Sequence, residues 1–378
     1  MKKHRIVIAS LLKPVDDTRM FEKMGVTLGD SGKYEIFIIG YPSRNVPTYA
    51  NIHFLPLSAF SRISFGRLLA PLKILRILYQ VNPQILVVNT HELLIVAVLN
   101  RILFGTRIIY DIRENYYRNI LYAESFPVLF RPLLAGWVRL KEKVTSPLFH
   151  HFLLAENGYQ KEMSFFRNRD TLIENKAKVP TGLLRIPQQN KIRLLFSGTL
   201  AESTGVFQAI GLAKKLHILN QTVQLTLIGY CAKAETLRKI HEEIKGSDFI
   251  HLYGGDRLVP HPDVVGAIYA SDFGIVCYPP SRHTENAIPT KLYEYLACRL
   301  PIILQHHVPW VELASRFQAC IAIDFPTVDP FALLQQMQST FYTRSPAVVP
   351  SESRLDQTGV TWESEAEKLL AALENIIV

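Results

Sequence analysis

A short segment in the second half of the chain places a proline, a lysine and a glutamate at a spacing that could bind a phosphorylated ligand. Pro289 precedes Thr290 and Lys291, and Glu294 follows three residues after the lysine. Proline suits the first turn of a helix, so we expect a helix to begin here with Lys291 and Glu294 on one face. The free N–H groups of a helix start and a lysine can bind a diphosphate, and a carboxylate one turn further on can accept both hydroxyls of a ribose. The spacing therefore predicts a nucleoside diphosphate site, and an ion pair between the lysine and the glutamate on a surface helix is the alternative.

Short apolar, β-branched runs alternate with helix-like stretches along the chain. Twelve such runs occur, from Arg5–Ser10 to Cys320–Asp324, and the run Phe273–Tyr278 places the segment described above at the carboxyl end of a strand. Runs that are apolar on both faces and separated by helices are typical of parallel sheets covered on both sides. Ligands of such sheets bind beyond the carboxyl ends of the strands, which is where the segment lies.

The series of runs restarts after a polar, proline-bearing stretch at residues 179–190. We therefore predict an α/β protein with two facing, doubly wound, Rossmann-like domains and a ligand site in the cleft between them. The N-terminal domain would span residues 1–183 and the C-terminal, ligand-binding domain residues 184–342. Residues 343–378 would form a loop and a closing helix that packs back on the N-terminal domain.

The composition is that of a large globular protein, since 48% of the 378 residues are hydrophobic and 20% are charged. The first apolar stretch, Ile6–Leu12, is followed at once by charged residues and fits a strand better than a signal peptide. No apolar run reaches the roughly 18 residues of a membrane span. The four cysteines are scattered and form no CxxC pair, which favours reduced structural thiols and a cytoplasmic location.

Several signatures of other enzyme classes are missing from the sequence. There is no GxGxxG after a strand, which disfavours a nicotinamide dehydrogenase, and no HExxH or serine nucleophile elbow. The pairs His150-His151 and His306-His307 lack the spaced companions of a zinc site, and no Asp-x-Asp motif occurs. We therefore expect neither a bound cofactor nor a metal.

The segment from Asn286 to Tyr295 resembles the nucleotide-sugar site of the retaining glycosyltransferases of family 4, the group 1 type with the GT-B fold, and in particular their bacterial glycan-assembly branch. The hallmark of that family is Glu-x7-Glu followed by a turn similar to Ala-Cys-Gly-x-Pro. Glu294 matches the second glutamate and Ala297–Pro301 matches the turn. The resemblance implies an N-terminal domain that holds the acceptor and a C-terminal domain that holds the donor.

The resemblance also implies roles for residues near the ends of several predicted strands. Glu294 would hold the ribose, and Lys291 with the backbone at Pro289 would hold the phosphates. The other donor-binding residues would be Ile288, Thr290, Gly198, Thr199, Thr204, Gly229, Tyr253 and Gly254. The transfer site would be lined by Asn286, Glu285, His91 and Arg113, and the acceptor side by Asp17, Arg19 and Glu114.

The chain departs from the family pattern at the diphosphate. Thr199 and Thr204 stand where the family carries two basic residues. Each lost charge-assisted hydrogen bond would weaken donor binding by about 1.5–3 kcal/mol. Lys291, Arg282 or Arg19 would have to supply the missing positive charge.

Two further departures concern the transfer site. Arg113 stands where the family carries a histidine, and because arginine does not titrate near neutrality it argues against a general base at this position. Asn286 occupies the position of the first glutamate, with Glu285 one residue earlier. An amide can hydrogen-bond the transferred sugar but cannot supply full negative charge to an oxocarbenium-like transition state. In retaining transfer on this fold the donor phosphate is thought to take the acceptor proton itself, so no side-chain base is required.

The resemblance implies a metal-independent hexosyltransferase. It would move a sugar from a nucleotide sugar of UDP or GDP type to a glycan or lipid-linked acceptor in cell-surface polysaccharide assembly, with retention of configuration. A catalytically weak homologue that serves as a binding subunit of a glycan assembly complex is one alternative. A sugar-nucleotide epimerase on the same fold is another.

The net charge of +9 resides in the first half of the chain. Residues 1–188 carry 26 Lys+Arg against 14 Asp+Glu, whereas residues 189–378 carry 16 against 19. Two basic, aromatic and apolar stretches, Ala59–Tyr79 and Arg118–Lys143, suit the headgroup region of an anionic leaflet, and core helices with solvated arginines are the alternative. Nucleic acid fits less well, because no known binding motif occurs. We therefore expect peripheral association with the inner face of the cell membrane.

Overall fold

The computed structural model describes residues 3–43, 46–58, 65–122, 126–178, 191–281, 285, 287–317, 320–343 and 359–377. They divide into two units. Unit 1 takes in the described residues of Met1–Asn175, Glu285–Ala287 and Trp362–Val378, and unit 2 those of Lys176–Thr284 and Ile288–Thr361. Each unit is built on one parallel sheet, which confirms the predicted α/β fold with two doubly wound, Rossmann-like domains. The predicted limits at 183/184 and 342/343 stay predictions, because both lie in or beside stretches outside the described residues.

Unit 1 has seven strands among its described residues, all paired in parallel. They are β1 (His4–Pro14), β2 (Tyr34–Tyr41), β3 (Ile52–Pro56), β4 (Ile85–Val88), β5 (Arg107–Ile112), β6 (His151–Leu154) and β7 (Asp170–Leu172), in the spatial order β3-β2-β1-β4-β5-β6-β7. The helices are α1 (Val26–Asp30), α2 (Phe65–Val81), α3 (Leu94–Phe104), α4 (Tyr116–Tyr122), α5 (Arg131–Thr145) and α6 (Tyr159–Glu162). A π-helical segment, Thr18–Gly25, precedes α1, and 3₁₀ turns lie at His91–Leu93, Val128–Phe130 and Ser146–Leu148.

Unit 2 has six described strands, again all parallel. They are β8 (Ile192–Thr199), β9 (Val223–Tyr230), β10 (Ile250–Gly255), β11 (Phe273–Val276), β12 (Ile302–Gln305) and β13 (Cys320–Ile323), in the order β10-β9-β8-β11-β12-β13. The helices are α7 (Val206–Leu219), α8 (Ala234–Ile244), α9 (His261–Tyr269), α10 (Thr290–Ala297), α11 (Val308–Ser315) and α12 (Pro330–Thr343), and a 3₁₀ turn lies at Glu202–Thr204. The strand order reverses between β8 and β11, and doubly wound sheets bind their ligands at such a switch point.

The last described helix, α13 (Glu363–Ile377), belongs to unit 1 although unit 2 lies before it in the chain. Leu369 and Leu373 of this helix are buried in the same core cluster as Ile6 and Ile8 of β1. Strand β1 is therefore covered on both faces, since the alternate residues Val7 and Ala9 pack in a second cluster with α2 and α3. No helix among the described residues is both long and apolar enough to cross a membrane.

Strand β3 is not among the twelve predicted runs. It lies at the edge of the sheet of unit 1, paired only with β2. Of its residues only Ile52 is buried, whereas His53 and Pro56 are exposed. His53 interrupts the apolar residues of this short edge strand and Pro56 ends it, which is why the pattern did not reveal it.

Candidate functional site

Three glycines lie side by side at the carboxyl edge of the sheet of unit 2. Gly198 of β8 pairs with Gly229 of β9, which pairs with Gly254 of β10, and all three have positive φ angles of 97°, 152° and 89°. A Cβ on Gly229 would lie 1.7 Å from the carbonyl oxygen of Gly198, and one on Gly254 would lie 2.3 Å from that of Gly229. No other residue type fits at Gly229 or Gly254, and the positive φ of Gly198 favours glycine there, so this edge presents backbone where other residues would place side chains.

Helix α10 begins where the sequence predicts. Pro289 occupies the N-cap position and Thr290 is the first helical residue, so the helix starts directly after the proline. The side chain of Lys291 returns towards β8, because a Cβ on Gly198 would lie 3.7 Å from its Cε. The lysine is thus held at the carboxyl end of the strand beside the switch point.

The ammonium group of Lys291 is buried and has no hydrogen-bond partner among the described residues. The residue is 5% exposed, and Nζ lies 3.7 Å from the centre of the Phe196 ring and 5.2 Å from that of Tyr278. Burial lowers the pKa of Lys291 to about 8, with Cys277 and Glu294 acting in the opposite direction. A buried cation without a counter-ion is costly, and these surroundings would favour an anion beside it.

Glu294 lies one turn along the same helix and contacts His261 at the start of α9. Its Oε1 atom is 3.2 Å from Nε2 of the histidine, and both side chains are partly exposed. No ion pair joins Glu294 to Lys291 within 4.0 Å. The alternative of a lysine–glutamate pair on a surface helix therefore does not describe this segment.

Tyr295 attaches α10 to the central strand β8. Its hydroxyl oxygen accepts a hydrogen bond from the backbone N–H of Ser197 at 3.0 Å and lies 2.9 Å from the hydroxyl of Ser197. The ring is fully buried against Gly274 of β11, where a Cβ would come within 2.4 Å of the tyrosine Cδ2. Both contacts hold the helix in one position relative to the glycine edge.

The loop after β8 is closed by its own threonine. The hydroxyl of Thr204 donates to the carbonyl of Thr199 at 2.7 Å and lies 3.2 Å from the backbone N of Ala201. Gly205 then starts α7 at a φ of 87°, and the thiol of Cys277 donates to its carbonyl. The Thr204 hydroxyl is thus used within the loop, whereas Thr199 is exposed.

The remaining residues predicted in this region differ in how they are placed. Ile288 is partly buried against the core that includes α10, and Tyr253 of β10 is exposed. Glu285 is exposed as well. Asn286 and Arg282 lie outside the described residues, so their roles stay predictions.

In unit 1, Asp17 and Arg19 follow β1 and make different ion pairs with residues of the β5 region. Arg19 is fully buried, with its Nη2 2.6 Å from Oδ1 of Asp111 and its Nη1 donating to the carbonyl of Ile173. Arg113 donates to both carboxylate oxygens of Asp17, at 2.7 and 3.2 Å. The guanidinium of Arg19 therefore links Asp111 to the backbone of Ile173 inside unit 1. It is not available to replace a cation at a ligand diphosphate.

The carboxylate of Asp17 is held ionised by this pairing. Burial by itself would raise the pKa of Asp17, but the charge and hydrogen bonds of Arg113 lower it to about 2. The carboxylate also accepts hydrogen bonds from the backbone of Arg19 and Met20, which caps the π-helical segment. Glu114 nearby is half exposed, 3.9 Å from Lys13, and accepts a hydrogen bond from Asn119.

His91 lies after β4 among charged neighbours. The Nζ atom of Lys141 is 3.0 Å from Nδ1, and the ring stands edge-on to Tyr116 at 4.8 Å. Burial lowers the pKa of His91 to about 4, with Glu92 opposing the shift and Lys141 and Arg67 adding to it. A lysine ammonium can only donate, so Nδ1 accepts and the neutral ring carries its proton on Nε2. His91 is then a hydrogen-bond donor and not a general base near neutral pH.

Comparisons with known proteins identify the class of enzyme. Residues 185–333 match the family model described as Glycosyl transferases group 1. The chain carries a group 1 glycosyltransferase domain, and the protein is a glycosyltransferase. The match covers the strand ends, the loop and helix α10 described above. A search of curated proteins finds no match to this glycosyltransferase.

Solved structures share the whole fold of the glycosyltransferase at low sequence identity. Sucrose-phosphate synthase from Thermosynechococcus elongatus superposes with a TM-score of 0.70 at 12% identity, over 100% of this chain and 99% of that chain. HepE of Anabaena in complex with UDP-glucose gives a TM-score of 0.63 at 12% identity over 99% and 100%. The catalytic domain of starch synthase IV from Arabidopsis thaliana, bound to ADP and acarbose, gives 0.63 at 12% over 99% of each chain. These likenesses show that the fold is GT-B.

Several side chains of the glycosyltransferase that shape the site were not among the predicted residues. Phe196 and Tyr278 surround the lysine ammonium, His261 contacts Glu294, and Tyr295 fixes the helix. Tyr295 lies inside the segment that carries the resemblance, and its spacing of four from Lys291 could have indicated a residue packed on the same face of the helix. The other three come from β8, the end of β11 and α9, and only the folded chain brings them to α10.

Proposed function

We propose that this glycosyltransferase binds a nucleoside diphosphate sugar of UDP or GDP type in unit 2, and that it belongs to the retaining family 4. The observation that carries the proposal is the buried ammonium of Lys291, without a hydrogen-bond partner among the described residues, at the switch point of a doubly wound sheet. A diphosphate is an anion of suitable size, charge and hydrogen-bonding capacity for this position. The complexes of HepE with UDP-glucose and of starch synthase IV with ADP support a nucleotide ligand.

The surrounding residues would each bind a different part of the donor. The start of α10, at Thr290, and Lys291 would bind the phosphates, and Glu294 would accept the hydroxyls of the ribose. The row of Gly198, Gly229 and Gly254 would let the base and phosphates approach the backbone closely. Because Thr199 and Thr204 supply no charge, Lys291 would be the main cation at the leaving group.

The transfer reaction would break the bond between the anomeric carbon of the donor sugar and the oxygen of its β-phosphate. The acceptor hydroxyl oxygen would bond to that carbon, and its proton would pass to the departing phosphate oxygen. His91, with a pKa of about 4, is too weak a base to take that proton at neutral pH, which supports a route through the phosphate. Lys291 would stabilise the leaving nucleoside diphosphate without a divalent metal, and the anomeric configuration would be retained.

We further propose that the acceptor is a glycan or lipid-linked glycan in cell-surface polysaccharide assembly, and that transfer takes place at the inner face of the cell membrane. The excess of basic residues in residues 1–188 supports an anionic or membrane-linked acceptor. Arg113 lies at the carboxyl edge of unit 1 and is already paired with Asp17. His91, with its proton on Nε2, could donate to an acceptor or sugar oxygen.

Calorimetric titration of the full chain with UDP, GDP, ADP and dTDP tests the donor site. We expect one of them to bind the wild type and to bind Lys291→Gln about 10- to 150-fold more weakly, the equivalent of about 1.5–3 kcal/mol. Lys215→Gln, which removes an exposed lysine from α7 of the same unit, is the matched control and should bind as the wild type does. If none of the four nucleotides binds the wild type, the proposed donor site is wrong.

A second measurement separates the transferase from the two alternatives. The matching nucleotide sugar is incubated with and without a lipid extract, and the nucleoside diphosphate released and the sugar product are identified. Release that depends on the extract, with sugar recovered on lipid, supports transfer. An altered free sugar nucleotide without net release indicates an epimerase, and binding without turnover indicates a binding subunit.

A further inference from the structure

Three helices of unit 1 form one layer over the same face of the sheet. The inner residues of α2 and α3, among them Ile74 and Leu94, pack in one core cluster with Val7 and Tyr110 of the strands. The hydroxyl of Tyr110 donates to Glu142 of α5 at 3.1 Å, which places α5 over the same face. Helix α3 packs against both α2 and α5. The sides of α2, α3 and α5 that point away from the sheet therefore form a continuous surface, which we call the outer face.

Helix α5 turns its more hydrophobic side outwards. Leu133, Trp137, Leu140 and Val144 repeat at helical spacing and are all exposed, Leu133 to 72% and Trp137 to 57%. The opposite side, which is buried, carries the carboxylate of Glu142. An amphipathic helix of a water-exposed surface normally shows the reverse arrangement. The apolar stripe of α5 is thus available for contact with something other than its own sheet.

The neighbouring elements extend this stripe. Leu72 and Tyr79 of α2 and Ile95 and Ile102 of α3 are exposed on the outer face, and Leu129 of the 3₁₀ turn before α5 is exposed to 86%. Single exposed apolar residues are ordinary, but a continuous apolar surface over three helices and a turn is not expected on a protein that meets only water.

The charge of the outer face has one sign. Helices α2, α3 and α5 contain eight Lys and Arg residues and one acidic residue, Glu142, which is buried. Lys73, Arg76 and Lys143 are exposed beside the apolar side chains. A second copy of this face would bring like charges together, which disfavours self-association through it. Anionic headgroups would complement the charges, and the acyl region just below them would accept the apolar side chains.

We propose that the outer face of α2, α3 and α5 docks on a membrane surface that contains anionic lipids. The apolar side chains enter the boundary between headgroups and acyl chains, and the flanking lysines and arginines contact lipid phosphates. The helices lie on the membrane and do not cross it. The docking requires neither a nucleotide nor an acceptor, so its tests do not depend on the proposed transfer reaction.

Trp137 gives a direct spectroscopic test with the full-length protein. The chain has three tryptophans, and the other two, Trp310 and Trp362, are only 1% and 2% exposed. Vesicles with equal parts of phosphatidylglycerol and phosphatidylcholine should shift the emission of the wild type to shorter wavelength and protect it from acrylamide. Trp137→Phe should still sediment with the vesicles but lose the shift. An unchanged wild-type spectrum at saturating vesicle concentration would overturn the proposal.

Co-sedimentation with the same vesicles tests the two components of binding separately. Arg76→Gln and Lys143→Gln should each weaken binding about fivefold, and the effect should fade at high salt. Leu133→Ser should weaken binding at every salt concentration. The matched controls on α7 of unit 2, Lys215→Gln and Ile218→Ser, replace an exposed cation and an exposed apolar residue and should bind as the wild type does.

Two further results would overturn the proposal. One is binding that does not respond to phosphatidylglycerol content or to the outer-face variants. The other is occupancy of the face by a different partner. Sedimentation velocity without vesicles that shows a dimer dissociated by Leu133→Ser would assign the face to a second copy, and preferential binding of duplex DNA or RNA, lost in Arg76→Gln, would assign it to nucleic acid.

Discussion

The ammonium nitrogen of Lys291 lies 3.7 Å from the centre of the Phe196 ring, and among the described residues no hydrogen-bond acceptor reaches it. The ring face offers a buried cation some attraction but cannot replace water or a carboxylate. The two residues come from the helix and the strand that meet at the switch point of unit 2. The pair therefore marks a place where the unliganded protein gives up stability and a bound anion would restore it.

Replacing Lys291 by methionine should stabilise the unliganded protein while weakening nucleotide binding. Methionine has a similar volume and no charge, and we expect a gain of about 1–3 kcal/mol in the free energy of unfolding at pH 7. Urea denaturation with and without the nucleotide that binds best gives both quantities. Lys215→Met is the control for a general effect of the substitution, and a loss of stability in Lys291→Met would contradict the interpretation.

The difference in unfolding free energy between Lys291→Met and the wild type should depend on pH, and the lowered pKa of Lys291 gives the direction of that dependence. The pKa of Lys291 falls from 10.5 to about 8 on folding, so the unfolded chain binds the extra proton between these values and folding stability rises with pH there. The cost of burying the charge, about 3 kcal/mol, is complete below pH 8 and disappears towards pH 10.5. The stability advantage of Lys291→Met over the wild type should therefore narrow between pH 8 and 10.5. A constant difference across this interval would show that folding does not lower the pKa of Lys291.

Glu294 should give the site a preference for ribose. If its carboxylate accepts the ribose hydroxyls, the nucleoside diphosphate that binds best should bind about 10- to 100-fold more tightly than its 2′-deoxy analogue. Glu294→Ala should bind the two equally, and the exposed Glu312→Ala on α11 should keep the wild-type preference. Competition calorimetry measures all three. A preference that survives Glu294→Ala would assign ribose binding to another group.

His91 should act through a hydrogen bond and not through proton transfer. Because its pKa is about 4, the ionisation of His91 should not affect the transfer rate near pH 6.5. The pH profiles of the wild type and of the His91 variants should therefore have the same shape in that range. His91→Gln, whose amide can place an N–H near the position of Nε2, should keep more activity than His91→Phe, which we expect to lose about 10- to 100-fold. The comparison is made on kcat after thermal unfolding has shown that both variants are folded. Equal losses in the two variants would indicate that the ring only fills space.

Gly229 should tolerate no side chain. Gly229→Ala would place a Cβ 1.7 Å from the carbonyl oxygen of Gly198, so we expect a loss of more than about 2 kcal/mol in unfolding free energy and of nucleotide binding. Gly211 lies inside α7 with nothing within 4 Å of its Cβ position, and Gly211→Ala should stabilise the protein by about 0.5–1 kcal/mol. Denaturation curves of the two variants make the comparison. A mild effect at Gly229 would show that the strand ends can shift.

The sequence was sufficient where a local pattern carries the information. The alternation of apolar runs predicted both parallel sheets, and Pro289 predicted the start of α10 to within one residue. Strand β3 could not be predicted in this way because His53 interrupts its apolar residues. The surroundings of Lys291 could not be predicted from the sequence either. Phe196 lies 95 residues away along the chain and contacts Lys291 only after the sheet has formed.

Helix α5 shows a different limit of sequence reasoning. Its periodicity alone would turn Leu133, Trp137 and Val144 towards the sheet and the charged residues outwards. The structure has the opposite orientation: Ala135, Val138, Glu142 and Thr145 are buried, and Tyr110 below the helix donates a hydrogen bond to Glu142. The partner of the buried Glu142 lies on a neighbouring strand, so no pattern within the helix itself contains it.

Helix α13 has a consequence for the order in which the chain can fold during its synthesis. Trp362, Leu369 and Leu373 complete a core of unit 1 whose other members, such as Ile8, leave the ribosome hundreds of residues earlier. All described residues of unit 2 are made before this helix, so unit 2 can form its core first although it is second in the chain. The Thr18–Gly25 segment and α1 already cover part of this face of the sheet, so until α13 emerges only the apolar surface that α13 itself buries stays exposed to water.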